Sequence, residues 1–131
     1  MRQVLAAALV FASFLFGAGQ KRKQQQAAKV EIVHAEARRV ENRIEIDGTV
    51  GNVGDTAIEG LVLRFEFLSS ALKLITMRDG PISEKILDVG AESTFSFALR
   101  DEPRAVKIRI RALDRHTDEP AIVAPGPYTI Q

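Results

Sequence analysis

The chain has 131 residues, of which 18 are Lys or Arg and 17 are Asp or Glu, so its formal charge is +1, and it contains no Cys. This length suits one ordinary domain, and a composition of 46% hydrophobic and 27% charged residues argues against disordered, collagen-like and coiled-coil classes. The near-neutral charge gives no overall attraction to nucleic acid, and the lack of Cys excludes disulfides, thiolate nucleophiles and Cys-based metal sites.

Residues 1–19 have the pattern of a secretory signal peptide. Arg2 precedes an uncharged apolar run from Val4 to Gly19, and the small residues Gly17 and Gly19 occupy the −3 and −1 positions of a cut before Gln20. The sequence therefore predicts an N-terminal signal helix that is removed. It also predicts an exported protein, located in the periplasm or outside the cell.

A membrane-tethered form is the alternative at this end of the chain. Lys21, Arg22 and Lys23 stand directly after the expected cut, where positive charge resists translocation. The apolar run is nevertheless shorter than the roughly 20 residues that cross a bilayer as a helix. Residues 20–28 then form a polar spacer between the signal and the folded domain.

From residue 29 to residue 114 the apolar side chains recur with a period close to two, which is typical of half-buried strands. A bulge is expected at Val33, and one continuous strand is expected from Val40 to Val50. The pattern predicts an all-β fold, an immunoglobulin-like antiparallel β-sandwich of about seven strands. The expected inward rows are Val30 and Ile32; Val40, Ile44, Ile46 and Val50; Leu61, Leu63, Phe65 and Phe67; Phe95, Phe97 and Leu99; and Val106, Ile108, Ile110 and Ala112.

Turn-forming residues separate these rows, and two segments are harder to assign. Ser69 to Arg78 fits either a short helix capped by Ser-Ser or a strand, and the strand is favoured. The C-terminal tail, residues 115–131, contains three prolines and is expected to be a loose arm with Tyr128 to Ile130 packed as an edge. The expected turns lie at residues 51–55, 79–81, 89–92 and 100–103.

The turns and inward rows together resemble small exported bacterial immunoglobulin-like domains of the FxLYD type. The residues that carry the resemblance are Gly48, Val50, Asn52, Phe65, Gly90, Glu92 and Phe95. In this reading Gly and Asn supply positive φ at turns, and the Phe side chains fill the gap between two sheets. The chain departs from the pattern after Phe67-Leu68, where Ser-Ser replaces Tyr-Asp. The resemblance implies an exported, non-catalytic domain that contacts another molecule.

Residues capable of catalysis are sparse. Only His34 and His116 offer an imidazole, neither has metal-ligand spacing to the other, and no serine lies in a Gly-x-Ser-x-Gly context. Asp55 and the aspartates of Asp47-Gly48 and Asp79-Gly80 could offer oxygen ligands to calcium, but Asp-Gly is first a turn dipeptide. We predict no catalytic residue, cofactor or metal. A small hydrolase or metal-dependent enzyme using His34 or His116 is kept as an alternative.

The clearest surface feature is a basic stripe, Lys107, Arg109 and Arg111, on one face of the last predicted strand. Such a stripe can meet an acidic surface, although it can equally be paired with neighbouring carboxylates, for which Glu66 is a candidate. We predict a non-catalytic interaction or structural module that binds another envelope or extracellular protein through a sheet face or by strand addition. Nucleic acid is not an expected partner, and a membrane is one only if the signal is retained.

Overall fold

The computed structural model describes residues 28–116 and 118–131, and this part of the chain is all-β. The expected signal peptide, and the spacer up to residue 27, lie outside the described residues. Within the described ranges, no helix has the length and hydropathy that spanning a bilayer requires. The strands are β1 (Lys29–Val40), β2 (Arg43–Asn52), β3 (Ile58–Glu59), β4 (Val62–Leu68), β5 (Leu74–Pro81), β6 (Ile86–Leu87), β7 (Glu92–Arg100), β8 (Lys107–Leu113), β9 (Ala121–Val123) and β10 (Tyr128–Thr129).

Most of the strands form two four-stranded sheets. Sheet I has the order β7-β2-β1-β9, sheet II has the order β10-β8-β4-β5, and β3 and β6 form a separate ribbon. Pairing is antiparallel within sheet II, whereas β9 runs parallel to β1 in sheet I. The described residues form ten strands, which is more than the seven or so expected. Six of these strands have 7 to 12 residues, and four have only two or three.

The continuous strand predicted from Val40 to Val50 is divided between β1 and β2. Glu41, with a φ of 58°, and Asn42 form a two-residue turn that joins β1 to β2 as a hairpin. The alternation of apolar residues continues across the turn, so the pattern alone did not reveal it. The bulge expected at Val33 is confirmed, because the β1–β2 register shifts between Ile32 and His34.

The apolar rows of both sheets contribute to one hydrophobic core. Phe65 of β4 is 1% exposed, and its ring centroid lies 5.9 Å from that of Phe95 and 5.1 Å from that of Phe97, both on β7 of the other sheet. The expected inward positions on β2, β4 and β8 are buried. Phe97 and Leu99 are only half-buried, because β7 is an edge strand of sheet I.

The tail is ordered into both sheets, so the expectation of a loose arm was wrong. Its first strand, β9, pairs with β1, and its second, β10, pairs with β8 at the edge of sheet II. The expected packing of Tyr128 to Ile130 as an edge is confirmed: Ile130 is buried, and the Gln131 amide donates to the Ala37 carbonyl at 2.8 Å. The prolines fit because Pro125 and Pro127 lie between the two strands, where no ladder bond is required.

The segment from Ser69 to Arg78 divides into a turn and a strand. The Ser69 hydroxyl accepts hydrogen bonds from the amides of Ala71 and Lys73 at 3.2 Å each, and β5 begins at Leu74. The capping residue thus closes a turn and not a helix. The turn expected at residues 79–81 is absent, because these residues end β5. Phe97 packs over Gly80, where a Cβ would lie 2.9 Å from the Phe97 ring.

Gly48 and Asn52, two residues that carry the resemblance, do not supply the positive φ that was expected of them. Neither Gly48 nor Asn52 has a positive φ, whereas Gly90 does, at 82°. The buried Asn52 side chain instead donates to the carbonyls of Thr56 and Leu87, at 2.9 Å each. Asn52 therefore fixes the loops beyond β2 through side-chain hydrogen bonds, and Gly48 provides room for Phe95.

Candidate interaction surface

The basic stripe Lys107, Arg109 and Arg111 lies on the outer face of β8, opposite β4. Glu66, on β4, is 7% exposed and accepts hydrogen bonds from Arg109 at 3.0 Å and from Arg111 at 3.4 Å. Arg111 also pairs with Glu119, while Lys107 reaches the Thr129 hydroxyl at 3.3 Å. The hydrogen bonds to Glu119 and Glu66 raise the pKa of Arg111. Both arginines of the stripe are thus neutralised by the protein itself.

The outer face of sheet I carries a similar network. Arg38 on β1 contacts Glu45 at 3.4 Å and Asp47 at 3.1 Å, both on the neighbouring strand β2. Arg43 binds the second oxygen of Glu45 at 2.5 Å, and the Ser96 hydroxyl donates to Asp47 at 2.8 Å. The carboxylates of Glu45 and Asp47 are therefore engaged by arginines. Surface pairs of this kind are worth little stability, about 0–1 kcal/mol each.

The most regular of these ion pairs joins Arg64 and Asp79 on the outer face of sheet II. Two hydrogen bonds, of 2.8 and 3.0 Å, connect the guanidinium to the carboxylate. The hydrogen bonds from Arg64 lower the pKa of Asp79 below its ordinary value of 3.8, against the opposing effect of burial. A carboxyl group with a depressed pKa stabilises the folded state above its unfolded-state pKa, and this contribution is lost as the pH falls through the folded-state value.

We therefore expect Asp79→Asn to flatten the acid limb of the stability curve. Below pH 4 to 5, the free energy of unfolding of the variant should fall less steeply with decreasing pH than that of the wild type, because one carboxyl group with a depressed pKa is gone. Urea unfolding at a series of pH values measures this slope. Asp55→Asn is the control, because it removes an exposed carboxylate that forms no ion pair among the described residues. If the free energy of unfolding falls equally steeply with decreasing pH in the wild type and in Asp79→Asn, the pKa of Asp79 is not depressed in the folded state.

The two histidines lie apart. His34 is exposed on the outer face of β1, next to the bulge, and its ring has no hydrogen-bond or ion-pair partner among the described residues. His116 lines a cleft of about 330 Å³ with residues that include Glu59, Asp114 and Arg115. The Asp114 carboxylate accepts the backbone amides of His116 and Asp118 at 2.8 and 2.9 Å, and Arg115 pairs with Glu59 at 2.7 Å. In the described ranges no three metal-ligating side chains gather.

Two exposed arginines outside the basic stripe differ from the others because they have no carboxylate partner among the described residues. Of the ten arginines in the described part of the chain, eight lie within 4.0 Å of a carboxylate. Arg78 and Arg100 do not, and both are exposed. The Arg78 guanidinium instead donates to the Thr76 hydroxyl at 2.7 Å and to the Met77 carbonyl at 2.9 Å, on its own strand.

Both of these arginines line one cleft between the edge strands of the two sheets. The cleft, of about 410 Å³, lies between β5 and β7. We call it the edge cleft. Its acidic residues already have cationic partners, because Arg39 binds Asp101 at 2.8 Å and Arg104 binds Glu102 at 3.5 Å. The residues that line the edge cleft are Thr76, Arg78, Leu99, Arg100, Asp101 and Glu102.

Beside the edge cleft, β7 has a free backbone edge. The Thr94 carbonyl accepts the Ser83 amide at 3.0 Å on the side away from β2, whereas the Asp101 amide binds the Asn42 carbonyl on the β2 side at 2.9 Å. Ladder hydrogen bonds alternate along an antiparallel strand. The backbone groups of Ser96, Ala98 and Arg100 therefore point away from β2, and they have no backbone partner among the described residues.

Sequence reasoning missed this surface. The stripe on β8 was visible because its cations are two residues apart in one strand, whereas Arg78 and Arg100 are 22 positions apart and come together only through the packing of two edges. No signal in the sequence marked these two arginines, because each is followed directly by an aspartate, Asp79 or Asp101. Only the fold shows that these aspartates pair with Arg64 and Arg39 instead. Which arginines find a carboxylate depends on strand order, and the sequence does not show strand order.

No family model and no curated protein matches the chain. Among solved structures, it is similar to IrmA from Escherichia coli, with 8% identity, a TM-score of 0.49 and coverage of 79% of this chain and 97% of the other. It is also similar to a β-glucosidase from Kluyveromyces marxianus (16% identity, TM-score 0.37, coverage 80% and 14%). A third likeness is to the structural genomics target SoR45 (13% identity, TM-score 0.38, coverage 79% and 83%). Likenesses at this level carry no information about activity or partners.

Proposed function

We propose that this chain is an exported, non-catalytic binding module that takes up an extended segment of another envelope or extracellular protein as an added strand on β7. In this proposal the domain is an immunoglobulin-like sandwich, as the resemblance to the FxLYD type implies. Export follows from the signal-like pattern of residues 1–19. The partner is a protein, because a sheet edge offers backbone donors and acceptors that match another polypeptide.

The organisation of the two sheets supports the sandwich. Phe65 from sheet II packs against Phe95 and Phe97 from sheet I, so apolar faces of both sheets meet in one core. The outer faces carry the ion-pair networks described above. An arrangement with apolar residues inside and charged residues on both outer faces is that of two packed sheets.

The observation that carries the binding function is the free edge of β7. Ser96, Ala98 and Arg100 are exposed, and their backbone groups point away from the sheet. The neighbouring stretch of the same edge is covered, because the segment after β5 lies beside Ser93 and Thr94. A natural sheet edge is usually blunted or covered, so an open run beside a cleft is suited to strand addition.

The proposal predicts that Ala98→Pro weakens peptide binding at least about tenfold without unfolding the protein. Proline removes the outward N–H at the centre of the free edge, and proline is tolerated on edge strands where that N–H faces solvent. Peptides selected from a phage-displayed library on the wild-type protein should bind Ala98→Pro at least about tenfold more weakly, the effect of losing roughly 1.4 kcal/mol of main-chain hydrogen bonding. Fluorescence anisotropy measures the affinity, and circular dichroism on heating checks the fold.

Ala98→Val is the matched control, because it keeps the N–H and has high strand propensity. Its peptide affinity should stay near that of the wild type. If the selected peptides bind Ala98→Pro as well as the wild type, or if no peptide is selected at all, strand addition to β7 is wrong. In that event the sheet faces and the His116 cleft are the remaining surfaces to test.

A further inference from the structure

We infer that the added segment is acidic, with carboxylates that pair with Arg78 and Arg100. This inference rests on the proposed function, since it specifies the chemistry of the segment that β7 receives. The other described arginines each lie within 4.0 Å of a carboxylate, whereas these two do not, and both line the edge cleft. An acidic segment supplies the two carboxylates that the protein itself does not.

The charges within the edge cleft favour an anionic occupant. Asp101 and Glu102 also line it, but each is held by an arginine of its own, Arg39 or Arg104. Arg39 further donates to the carbonyls of Glu102 and Ala105 at 2.9 and 2.7 Å, so it is fixed in place. The charges of Arg78 and Arg100 are therefore the ones left for a ligand.

The geometry places the two arginines on opposite sides of an added strand. Arg78 is paired in register with the inward-facing Phe65 and lies on the cleft side of β5. Arg100 is paired with Arg43, whose row on β2 includes Glu45 and Asp47, so its side chain belongs to the outer face of sheet I. Because successive side chains of a strand point to opposite faces, two consecutive acidic residues can reach one arginine each.

Arginine is well suited to this task. Its guanidinium presents a planar fork of donors that binds a carboxylate through two parallel hydrogen bonds, as Arg64 and Asp79 show on another face of this protein. The current partners of Arg78 are a hydroxyl and a backbone carbonyl on its own strand, which a carboxylate ligand can replace. Recognition of an acidic motif by arginines next to a sheet edge combines two established modes of peptide binding.

The test uses the full chain and two fluorescein-labelled peptides of about ten residues, the length of a long strand. Both alternate Thr and Val; one has a central Asp-Glu pair and the other has Asn-Gln at those positions. The wild type should bind the acidic peptide about five- to tenfold more tightly at low salt, the effect of two partly exposed ion pairs, and the difference should shrink as salt is raised. Fluorescence anisotropy gives both affinities.

The double variant Arg78→Gln/Arg100→Gln should bind both peptides equally, at the affinity of the wild type for the neutral one. Lys85→Gln/Lys107→Gln removes the same charge elsewhere, including one residue of the basic stripe, and should keep the preference for the acidic peptide. A preference that survives the arginine changes, or that is lost with the lysine changes, overturns the inference. Binding of dextran sulfate at the same arginines with no effect of Ala98→Pro also overturns it, since the ligand is then a polyanion and not a strand.

The outcomes separate this inference from the proposed function. If both peptides bind equally to the wild type and Ala98→Pro weakens the binding of both, strand addition stands and acidic specificity is wrong. If Ala98→Pro leaves peptide binding unchanged, strand addition itself is wrong. Should Ala98→Pro fail to fold, slowed hydrogen exchange of the Ser96, Ala98 and Arg100 amides in the peptide complex supports the edge, and unchanged exchange refutes it. A wild-type dimer that exchanges slowly at these amides without peptide would assign the edge to a second copy of this chain.

Discussion

Replacing Phe65 with Ala is expected to lower the free energy of unfolding by about 3–5 kcal/mol. The ring is 1% exposed and lies within 5.9 Å of Phe95 and 5.1 Å of Phe97, measured between ring centroids. Removing it leaves a cavity at the contact between the two sheets, and the packed strands around it cannot collapse to fill the space. Since small domains have total stabilities of about 5–15 kcal/mol, such a loss unfolds a large share of the molecules.

Urea unfolding followed by circular dichroism measures this change. Phe97→Ala is the matched control, because Phe97 stacks on Phe65 but is only half-buried on the edge strand. Phe97→Ala should lower the free energy of unfolding clearly less than Phe65→Ala does, because folding buries less of the apolar surface of Phe97. A loss below 1 kcal/mol for Phe65→Ala would show that the two sheets do not meet at this residue.

Gly48→Ala is expected to destabilise the protein by about 2–3 kcal/mol or more, although it adds a single methyl group. A Cβ at Gly48 would lie 2.3 Å from the His34 carbonyl oxygen and 2.4 Å from Cζ of Phe95. The first neighbour is backbone of the adjacent strand, and the second is a buried ring. Neither can move without disturbing the ladder or the core, so the strain remains in the folded state.

Gly51→Ala provides the control on the same strand. There the nearest atom to an added Cβ is the Glu92 Cγ at 3.5 Å, an ordinary contact, so the variant should remain within about 1 kcal/mol of the wild type. Neither glycine has a positive φ, and the comparison therefore isolates steric room from backbone conformation. Thermal unfolding of the two variants side by side is sufficient. Equal midpoints would refute the close approach of Phe95 to Gly48.

The distribution of ion pairs bears on where a partner can bind. A cation that is already bonded to a buried carboxylate, as Arg109 is to Glu66, must break that pair before it can bind a ligand. The basic stripe is for this reason a weaker candidate than its sequence pattern indicates. Arg78 and Arg100 have no carboxylate to release among the described residues. The energetic cost of engaging them is therefore lower.

Periodicity predicted the interior of the sheets well. Leu61, Leu63, Phe65 and Phe67 are all buried, as the alternation of apolar residues required. Alternation reports which face of a strand is apolar, so it succeeds wherever a strand lies between two others. It says nothing about where one strand ends and the next begins, and the Glu41-Asn42 turn was missed because the alternation continues through it.

The sequence by itself therefore determined the all-β class, the inward rows of β2, β4 and β8 and the bulge at Val33, because each depends on the order of side chains along one strand. Only the tertiary structure decided that the tail joins both sheets, that Glu66 pairs with both arginines of the stripe, and that Arg78 and Arg100 meet at one cleft. These features depend on which strands become neighbours. That choice is made by the packing of the whole chain, through contacts between residues far apart in sequence.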